Sequence, residues 1–329
     1  MLNHDHQQAL LQWYDEHQRA LPWRQTNDPW HILLSEILLQ QTQVSRGLVY
    51  WQRMVETFPT IASMADAPVD TVLKAWEGAG YYSRARRLHA LSQRIMLPRA
   101  EGGFDGRLPS TYDELLSLPG IGPYTAAAVA SIAFGQSVAC VDGNIRRVMA
   151  RQTAQPEPTP KAVQAWADAS LEAVRPGDWN QALMELGATV CTPKRVGCSR
   201  CPVSSSCQGR STPERYPLPK QQRTKAVIMT AMVDHDAQGR PVLKQRPLSG
   251  LFGGLWGPVY EEGRREEGAA YIEAGVVNHQ LSHRSMTVHV LVGTSAVGET
   301  GTEPSAVACS TLDEKVLTMA LQRLLEGRS

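Results

Sequence analysis

Residues 118–125 read Leu118-Pro119-Gly120-Ile121-Gly122-Pro123-Tyr124-Thr125 and stand between two helix-like patterns, the second being the small apolar run AAAVASIAF. Two glycines two apart make a tight hairpin and leave backbone N–H groups exposed at the start of the second helix, which is a seat for a phosphate. Pro123 suits a first-turn position, where its missing N–H costs nothing. An ordinary glycine-rich turn could carry the same letters, so the flanking sequence has to decide. One helix and a loop further on comes Val141-Asp142-Gly143-Asn144-Ile145-Arg146-Arg147. An Asp at a helix start is by itself most simply an N-cap.

Outward from the hairpin, the first two hundred residues read as almost wholly helical. Thr26-Asn27-Asp28-Pro29 is a cap-and-proline start, followed by Trp30, Leu33, Leu34, Ile37 and Leu38 at helical spacing. The pattern predicts further helices near 44–58, 68–77, 82–96, 111–117, 124–134, 142–152, 160–174 and 178–187, punctuated by proline and glycine. Residues 210–224 (RSTPERYPLPKQQRT) hold three prolines and read as a connector. Beyond it the texture changes. AVIMTAMV (226–233), Pro241–Lys244, VVNHQL (276–281) and MTVHVLV (286–292) read as strands, with HDAQGR (235–240) as a turn and a last helix from about 312 to 325. The expected fold is a mainly α N-terminal part of 1–209, the connector 210–224, and a small α+β part of 225–329.

Composition closes other doors. With 329 residues, 42% hydrophobic and 20% charged, the chain is long enough for two packed domains and does not read as disordered. No run of 18 or more apolar residues occurs, and the N-terminus lacks a basic start followed by an apolar core, so neither a membrane span nor a secretory signal is expected. The net charge of +1 gives no hint of a nucleic-acid partner. It is nevertheless an average: residues 191–225 carry eight basic side chains against one acid, leaving −6 for the remainder. A local patch of that kind can grip phosphates, although a solvated linker would look the same.

Four of the six cysteines, Cys191, Cys198, Cys201 and Cys207, fall within seventeen residues with C-x6-C-x2-C-x5-C spacing. Without an export signal a disulfide framework is not expected. Structural zinc sites usually pair two short knuckles, and only Cys198 and Cys201 have that form. A compact four-thiolate loop could hold a [4Fe–4S] cube, although this spacing differs from ferredoxin runs. Spacing favours a metal site and leans to the iron–sulfur cluster without excluding zinc. The isolated Cys140 and Cys309 read as buried small hydrophobes.

The hairpin, Asp142 at its set distance and the four-cysteine loop together resemble the helix-hairpin-helix Gly/Pro–Asp superfamily of base-excision DNA glycosylases. Strand-cleaving members similar to endonuclease III carry a Schiff-base lysine two residues after the second hairpin glycine; here that position is Tyr124, and a phenol forms no imine. Ser35-Glu36-Ile37-Leu38-Leu39-Gln40-Gln41-Thr42-Gln43 resembles the motif of the MutY-type adenine glycosylases. So do LPWR (21–24), WEGAGYYSRAR (76–86), NQALMELGA (180–188) and GLFGGLWGP (250–258).

The resemblance implies a helix-hairpin-helix glycosylase domain with a [4Fe–4S] cluster on the loop 191–207, and a MutT/Nudix-like C-terminal domain that recognises 8-oxoguanine. It implies hydrolysis of adenine paired with 8-oxoguanine or guanine in duplex DNA, little lyase activity, a monomer with no membrane partner, and a cytoplasmic, nucleoid-associated setting in a bacterium. Chemistry supports Glu36 independently. Ile32, Leu33 and Leu39 surround it at helical spacing, which would raise its pKa and let it protonate a leaving purine. Asp142, ionised, would stabilise the oxocarbenium sugar, the two-carboxylate logic of glycoside hydrolysis.

By resemblance Tyr124 and Asn144 support Asp142, and Glu185 is a further carboxylate of the site. Gln41 and Tyr81 probe the base stack, Tyr81 reading equally well as a plain core aromatic. Arg24 and Trp23 line the pocket or contact the backbone. Gly120, Gly122, Lys194 and Arg195 meet phosphates, and all four loop cysteines become cluster ligands.

His279-Gln280-Leu281-Ser282-His283 matches the family's H-x-F-S-H loop, with Leu281 where Phe is usual; Leu281 keeps a wedge without the aromatic stack, and Ser282 and His283 keep their donors and acceptors. Arg265-Glu266-Glu267-Gly268 is only a fragment of a Nudix box, so pyrophosphatase chemistry is not expected. The alternatives are an endonuclease III-like pyrimidine glycosylase/lyase, opposed by Tyr124 and the added C-terminal domain, a catalytically silent lesion-binding protein, and an iron–sulfur redox protein, which leaves the hairpin, Glu36 and the C-terminal domain unexplained.

Overall fold

The computed structural model describes residues 2–219 and 224–326. In chain order its longer elements are α1 (His4–His17), α2 (Pro29–Leu38), α3 (Val44–Thr57), α4 (Ile61–Ala65), α5 (Val69–Ala75), α6 (Ser83–Met96), α7 (Tyr112–Leu116), α8 (Pro123–Phe134), α9 (Gly143–Gln152), α10 (Pro160–Ala169) and α11 (Pro176–Thr189). They are followed by β1 (Lys225–Val233), β2 (Lys244–Gln245), β3 (Trp256–Gly257), β4 (Val259–Glu262), β5 (Tyr271–Gln280), β6 (Arg284–Gly293) and α12 (Thr311–Glu326). The described residues form two compact units that are not continuous in sequence. One takes those within 1–66 and 90–220, the other those within 67–89 and 221–329.

In the first unit α8 is the axis. Its residues Thr125 to Ser131 are all buried, as a helix made of small apolar residues on every side must be. Small side chains let α2, α7 and α11 pack against it. Gly120 supplies the left-handed turn (φ 80°) that precedes it, and Gly135 (φ 67°) ends it, with the Gln136 amide returning to the Ala130 carbonyl at 2.9 Å. Leu10, Tyr14, Ile145, Val148, Trp179 and Leu183 close the core around it.

Two local expectations are corrected, and one helix is added to those the spacing marked. The N-terminus folds as α1, started by the Asn3 side chain accepting from the His6 amide at 3.1 Å. Helix α10 stops at Ala169 rather than running to 174, because the Glu172 carboxylate gathers the amides of Val174 (3.2 Å) and Arg175 (2.6 Å) into a turn. Of residues 241–244 only Lys244 lies in a strand. The Asp236 carboxylate collects the amides of Gln238, Arg240 and Gly301, each at 2.9 Å, and this knot leaves only Lys244 and Gln245 to pair.

The second unit carries a mixed sheet in the order β4-β1-β6-β5, with β1 and β6 parallel and the outer pairs antiparallel. Ala231, Val233, Val288, Val290 and Val292 line one face, and α12 covers it with Leu312, Val316, Leu317 and Ala320. The Nudix-box fragment, 265–268, forms no helix. Residues 67–89 pack within this unit: Lys74 Nζ donates to the Val307 carbonyl (2.8 Å), the Tyr82 hydroxyl to the Cys309 carbonyl (3.0 Å), and the Cys309 amide to Glu77 (2.9 Å). Part of the expected connector, 220–223, lies outside the described residues. Among the described residues no helix is long and apolar enough to cross a membrane.

Candidate active site

Helix α2 begins where the sequence says it should: the Asp28 side chain accepts from the Trp30 amide (2.8 Å) and Pro29 fills the first turn. That phase puts Glu36 on the buried side of the last turn, among Leu33, Ile37 and Leu38, with 8% of its surface exposed. Tyr124, one residue into α8, meets it there, its hydroxyl donating to Glu36 Oε2 at 2.7 Å. Burial pushes the Glu36 carboxyl up to about 7, and the nearby Asp142 adds to the rise. The Tyr124 hydrogen bond and Arg24 pull the other way.

Asp142 caps α9. Its Oδ1 accepts from the Ile145 amide and its Oδ2 from the Asn144 side-chain amide, both at 2.7 Å. Burial raises its pKa, opposed by these donors and by Arg147. The two carboxyls are thus set apart by environment. One faces apolar side chains and a single hydroxyl; the other sits at a helix N-terminus with two N–H donors, which favour its ionised form.

Glu185 lies in the first unit but has a different occupation from the one expected. Its side chain is fully buried, and both oxygens are taken, by Arg19 (Nε 2.7 Å, Nη2 2.8 Å) and Arg24 (Nη2 2.8 Å). The guanidiniums outweigh burial and hold its pKa below the usual carboxylate range. A carboxylate so bound has no proton to give. It anchors Arg24, which lies over the Tyr14 ring at 5.4 Å. Trp23 is buried beside Trp51.

Two arginines of this site escaped the sequence reading. Arg19 follows α1, which the reading also lacked. Arg147 sits three residues after Asn144, one turn along α9. Its Nη2 donates to Asn144 Oδ1 (2.8 Å) and the Gly187 carbonyl (2.6 Å), and its Nε to the Cys191 carbonyl (2.8 Å). The i, i+3 spacing was the available signal. Gly187 is required there, because a Cβ would stand 2.5 Å from that of Asn144 where α9 and α11 cross.

Gln41 is exposed in the turn after α2, in the left-handed region at φ 58°. The neighbouring Gln40 ties the turn to α8 through Thr125 Oγ1 (3.1 Å). Gly122 begins α8 with no side chain capping it, so the first-turn N–H groups face outward beside Gly120.

After α11 the chain turns back through a bridge between Cys191 and Val196 and two short 3-10 turns. Cys191, Cys198, Cys201 and Cys207 all line one cavity, together with Arg151. Arg151 Nη1 donates to Cys191 Sγ (3.3 Å), and burial pushes the Cys201 thiol up to about 12. Among the described residues no group of three or more His, Cys, Asp and Glu side chains is arranged around a single metal ion. Lys194 and Arg195 are exposed on the bridge turn. Cys140 and Cys309 are buried, as expected.

In the second unit Leu281, Ser282 and His283 form the turn between β5 and β6, closed by the Leu281 amide on the Arg284 carbonyl (2.8 Å). Ser282 and His283 are exposed, whereas Leu281 is half-buried against the core under the sheet. Tyr81, also exposed, brings its hydroxyl to that of Ser282.

Residues 34–172 match the family model of the HhH-GPD superfamily base excision DNA repair proteins. The adenine DNA glycosylase of Mycolicibacterium smegmatis is 43% identical over 216 residues, 61% of this chain and 68% of that protein. That of Homo sapiens is 43% identical over 223 residues, 64% of this chain but 40% of the human protein, so this chain spans less than half the length of that relative. The solved structure of a thermostable thymine-DNA glycosylase matches with a TM-score of 0.57 at 28% identity, over 62% of this chain and 94% of that one. A non-covalent endonuclease III–DNA complex shares the fold at 20% identity with a TM-score of 0.55, over 64% of this chain and 95% of that one.

Proposed function

From a chain that belongs to the adenine DNA glycosylase family, within the helix-hairpin-helix base-excision superfamily, we propose an enzyme that hydrolyses the N-glycosidic bond of adenine mispaired with 8-oxoguanine or guanine in duplex DNA. The observation that carries the chemistry is the divided pair of carboxyls. Glu36, protonated up to about 7, gives its proton to a ring nitrogen of the flipped adenine. The C1′–N9 electron pair leaves with the base, the sugar becomes an oxocarbenium ion, and the Asp142 carboxylate stabilises it until water adds at C1′ and gives up a proton. Asn144 and the Ile145 amide hold Asp142 in place. Tyr124 keeps Glu36 oriented and offers no amine for an imine, so strand cleavage is weak.

For DNA, the uncapped start of α8 supplies N–H groups for a phosphate, and Lys194 and Arg195 supply exposed cations. Gln41 and Tyr81 enter the stack when adenine is extruded, a step costing a few kcal/mol. Ser282 and His283 read the base opposite adenine. Cys191, Cys198, Cys201 and Cys207 would hold a [4Fe–4S] cluster; their shared cavity and all-sulfur donor set support this, and the group would serve to fix the loop that carries Lys194 and Arg195.

The deciding assay is single-turnover incubation with a duplex containing adenine opposite 8-oxoguanine, read with and without alkali. Adenine release with strand breaks appearing only after alkali is the expected outcome. Breaks without alkali would make the enzyme a lyase, and binding without release would make it a silent lesion binder.

A further inference from the structure

The loop from Trp76 to Tyr82, between α5 and α6, turns with left-handed backbone at Gly78 (φ 86°), Gly80 (φ 73°) and also Tyr81 (φ 49°). Glycine adopts this freely; an aromatic residue does so only when its surroundings impose it. Yet Tyr81 is 42% exposed and is not held by burial. What faces it is Arg84, on the first turn of α6 and only 9% exposed. The Arg84 Cζ lies 5.3 Å from the centre of the buried Trp76 ring and 5.4 Å from that of the Tyr81 ring. Its Nη2 donates to the carbonyls of Ala79 and Gly80, each at 3.3 Å, and its backbone amide donates to the Tyr81 carbonyl at 2.8 Å. Trp76 Nε1 donates to the same Gly80 carbonyl at 2.9 Å. One guanidinium therefore touches two loop carbonyls and two rings, a combination its planar fork permits and an ammonium cannot span.

We propose that Arg84 is a positioning residue that fixes Tyr81 as a rigid aromatic platform for a base of the duplex. This rests on the assignment of Tyr81 to the DNA stack and adds how the ring is presented. Stacking on a ring already held in its bound pose avoids the cost of ordering an exposed side chain on binding. Arg84 acts through Tyr81 and not on a phosphate, since its guanidinium is enclosed by the loop it organises.

The test is a double-mutant cycle on the full chain. Affinity is measured by fluorescence anisotropy for a duplex with a tetrahydrofuran abasic analogue opposite 8-oxoguanine, and folding is checked by thermal melts. Tyr81→Ala should weaken binding by about 5- to 150-fold. Arg84→Met should weaken it by about 2- to 30-fold when Tyr81 is present and by less than about 2-fold in the Tyr81→Ala background. Arg84→Lys should fall between, keeping a cation near the rings without the two-carbonyl fork.

An equal loss from Arg84→Met in both backgrounds would overturn the positioning role while leaving Tyr81 in the stack. No effect of Tyr81→Ala would instead overturn the assignment on which the proposal rests. If Arg84→Met fails to fold, Arg84→Lys completes the cycle, and a loss that persists without Tyr81 counts against the proposal in the same way.

Discussion

Glu36 and Ser282 are both polar groups proposed to meet a purine, and their settings could hardly differ more. Glu36 is buried on the last turn of a helix, hydrogen-bonded to Tyr124, with a second carboxyl nearby whose own donors are fixed. Ser282 stands exposed in a strand-connecting turn, its hydroxyl against that of Tyr81. A proton transfer near neutral pH needs a raised carboxyl pKa, and at Glu36 removal from water is the largest cause of the rise. Recognition needs donors and acceptors that can be exchanged for those of a base, and exposure supplies that. The first site should therefore be intolerant of any change in its acid, and the second should lose discrimination gradually.

The largest expected effect comes from Glu36→Gln, which keeps shape but has no transferable proton. Adenine release under single-turnover conditions should fall by about 10²- to 10⁴-fold, with affinity for the lesion duplex little changed. Release within a few-fold of the wild type would remove Glu36 as the acid. The same residue sets a pH dependence. Because its carboxyl is held up to about 7, the rate should fall roughly tenfold per unit above that value, and should fall again at acid pH as the Asp142 carboxylate, whose pKa burial raises, takes up its proton.

Stability carries the matching sign. A raised carboxyl pKa means that the protonated form is favoured on folding, so this contribution is full below about 4.5, the ordinary value, and is lost as pH rises through about 7. Glu36→Gln should thus gain on the wild type between pH 5 and pH 8, by up to about 3 kcal/mol in chemical denaturation. A constant difference across that range would mean that Glu36 is not desolvated.

How legible these two regions were in the sequence follows the same division. The hairpin around Gly120 and Gly122, Glu36 with its apolar neighbours and Asp142 as a cap all depend on contacts within a few residues, or on one helix period, and could be read from spacing. Glu185 could not. Its letter is that of an acid, but its state is decided by Arg19 and Arg24, more than 160 residues away in sequence. The grouping of residues 67–89 with the C-terminal sheet was equally hidden. It rests on Lys74, Glu77 and Tyr82 reaching backbone groups of Val307 and Cys309, and backbone partners leave no mark on composition. The misread strand at 241–244 failed for a similar reason, one aspartate side chain overruling a locally plausible run.

A middle-sized effect tests the exposed region. Ser282→Ala combined with His283→Ala should reduce the preference for 8-oxoguanine over guanine opposite adenine by about 5- to 30-fold, the worth of one or two hydrogen bonds. Release from the guanine mispair should change far less. Equal losses on both substrates would place these residues in general DNA binding, and the contrast with Glu36 would then be one of position and not of task.

The smallest effect concerns the cysteine loop, where charge and not chemistry is at issue. Lys194 and Arg195 are exposed, and in an otherwise near-neutral chain they are cations carried on a turn tied down by the Cys191–Val196 bridge. A cation that meets a phosphate releases about one counterion, so Lys194→Ala should flatten the slope of log affinity against log salt by about 0.9. Affinity near physiological salt should drop only several-fold, and 8-oxoguanine preference should stay unchanged, because a phosphate contact reports position and not sequence. Arg99→Ala is the control, since that guanidinium is exposed but already paired with Asp105 and Glu114. If Lys194→Ala leaves the slope as Arg99→Ala does, the cysteine loop does not touch the backbone, and the grip on phosphate falls to the uncapped N–H groups at the start of α8, which no side-chain substitution can remove.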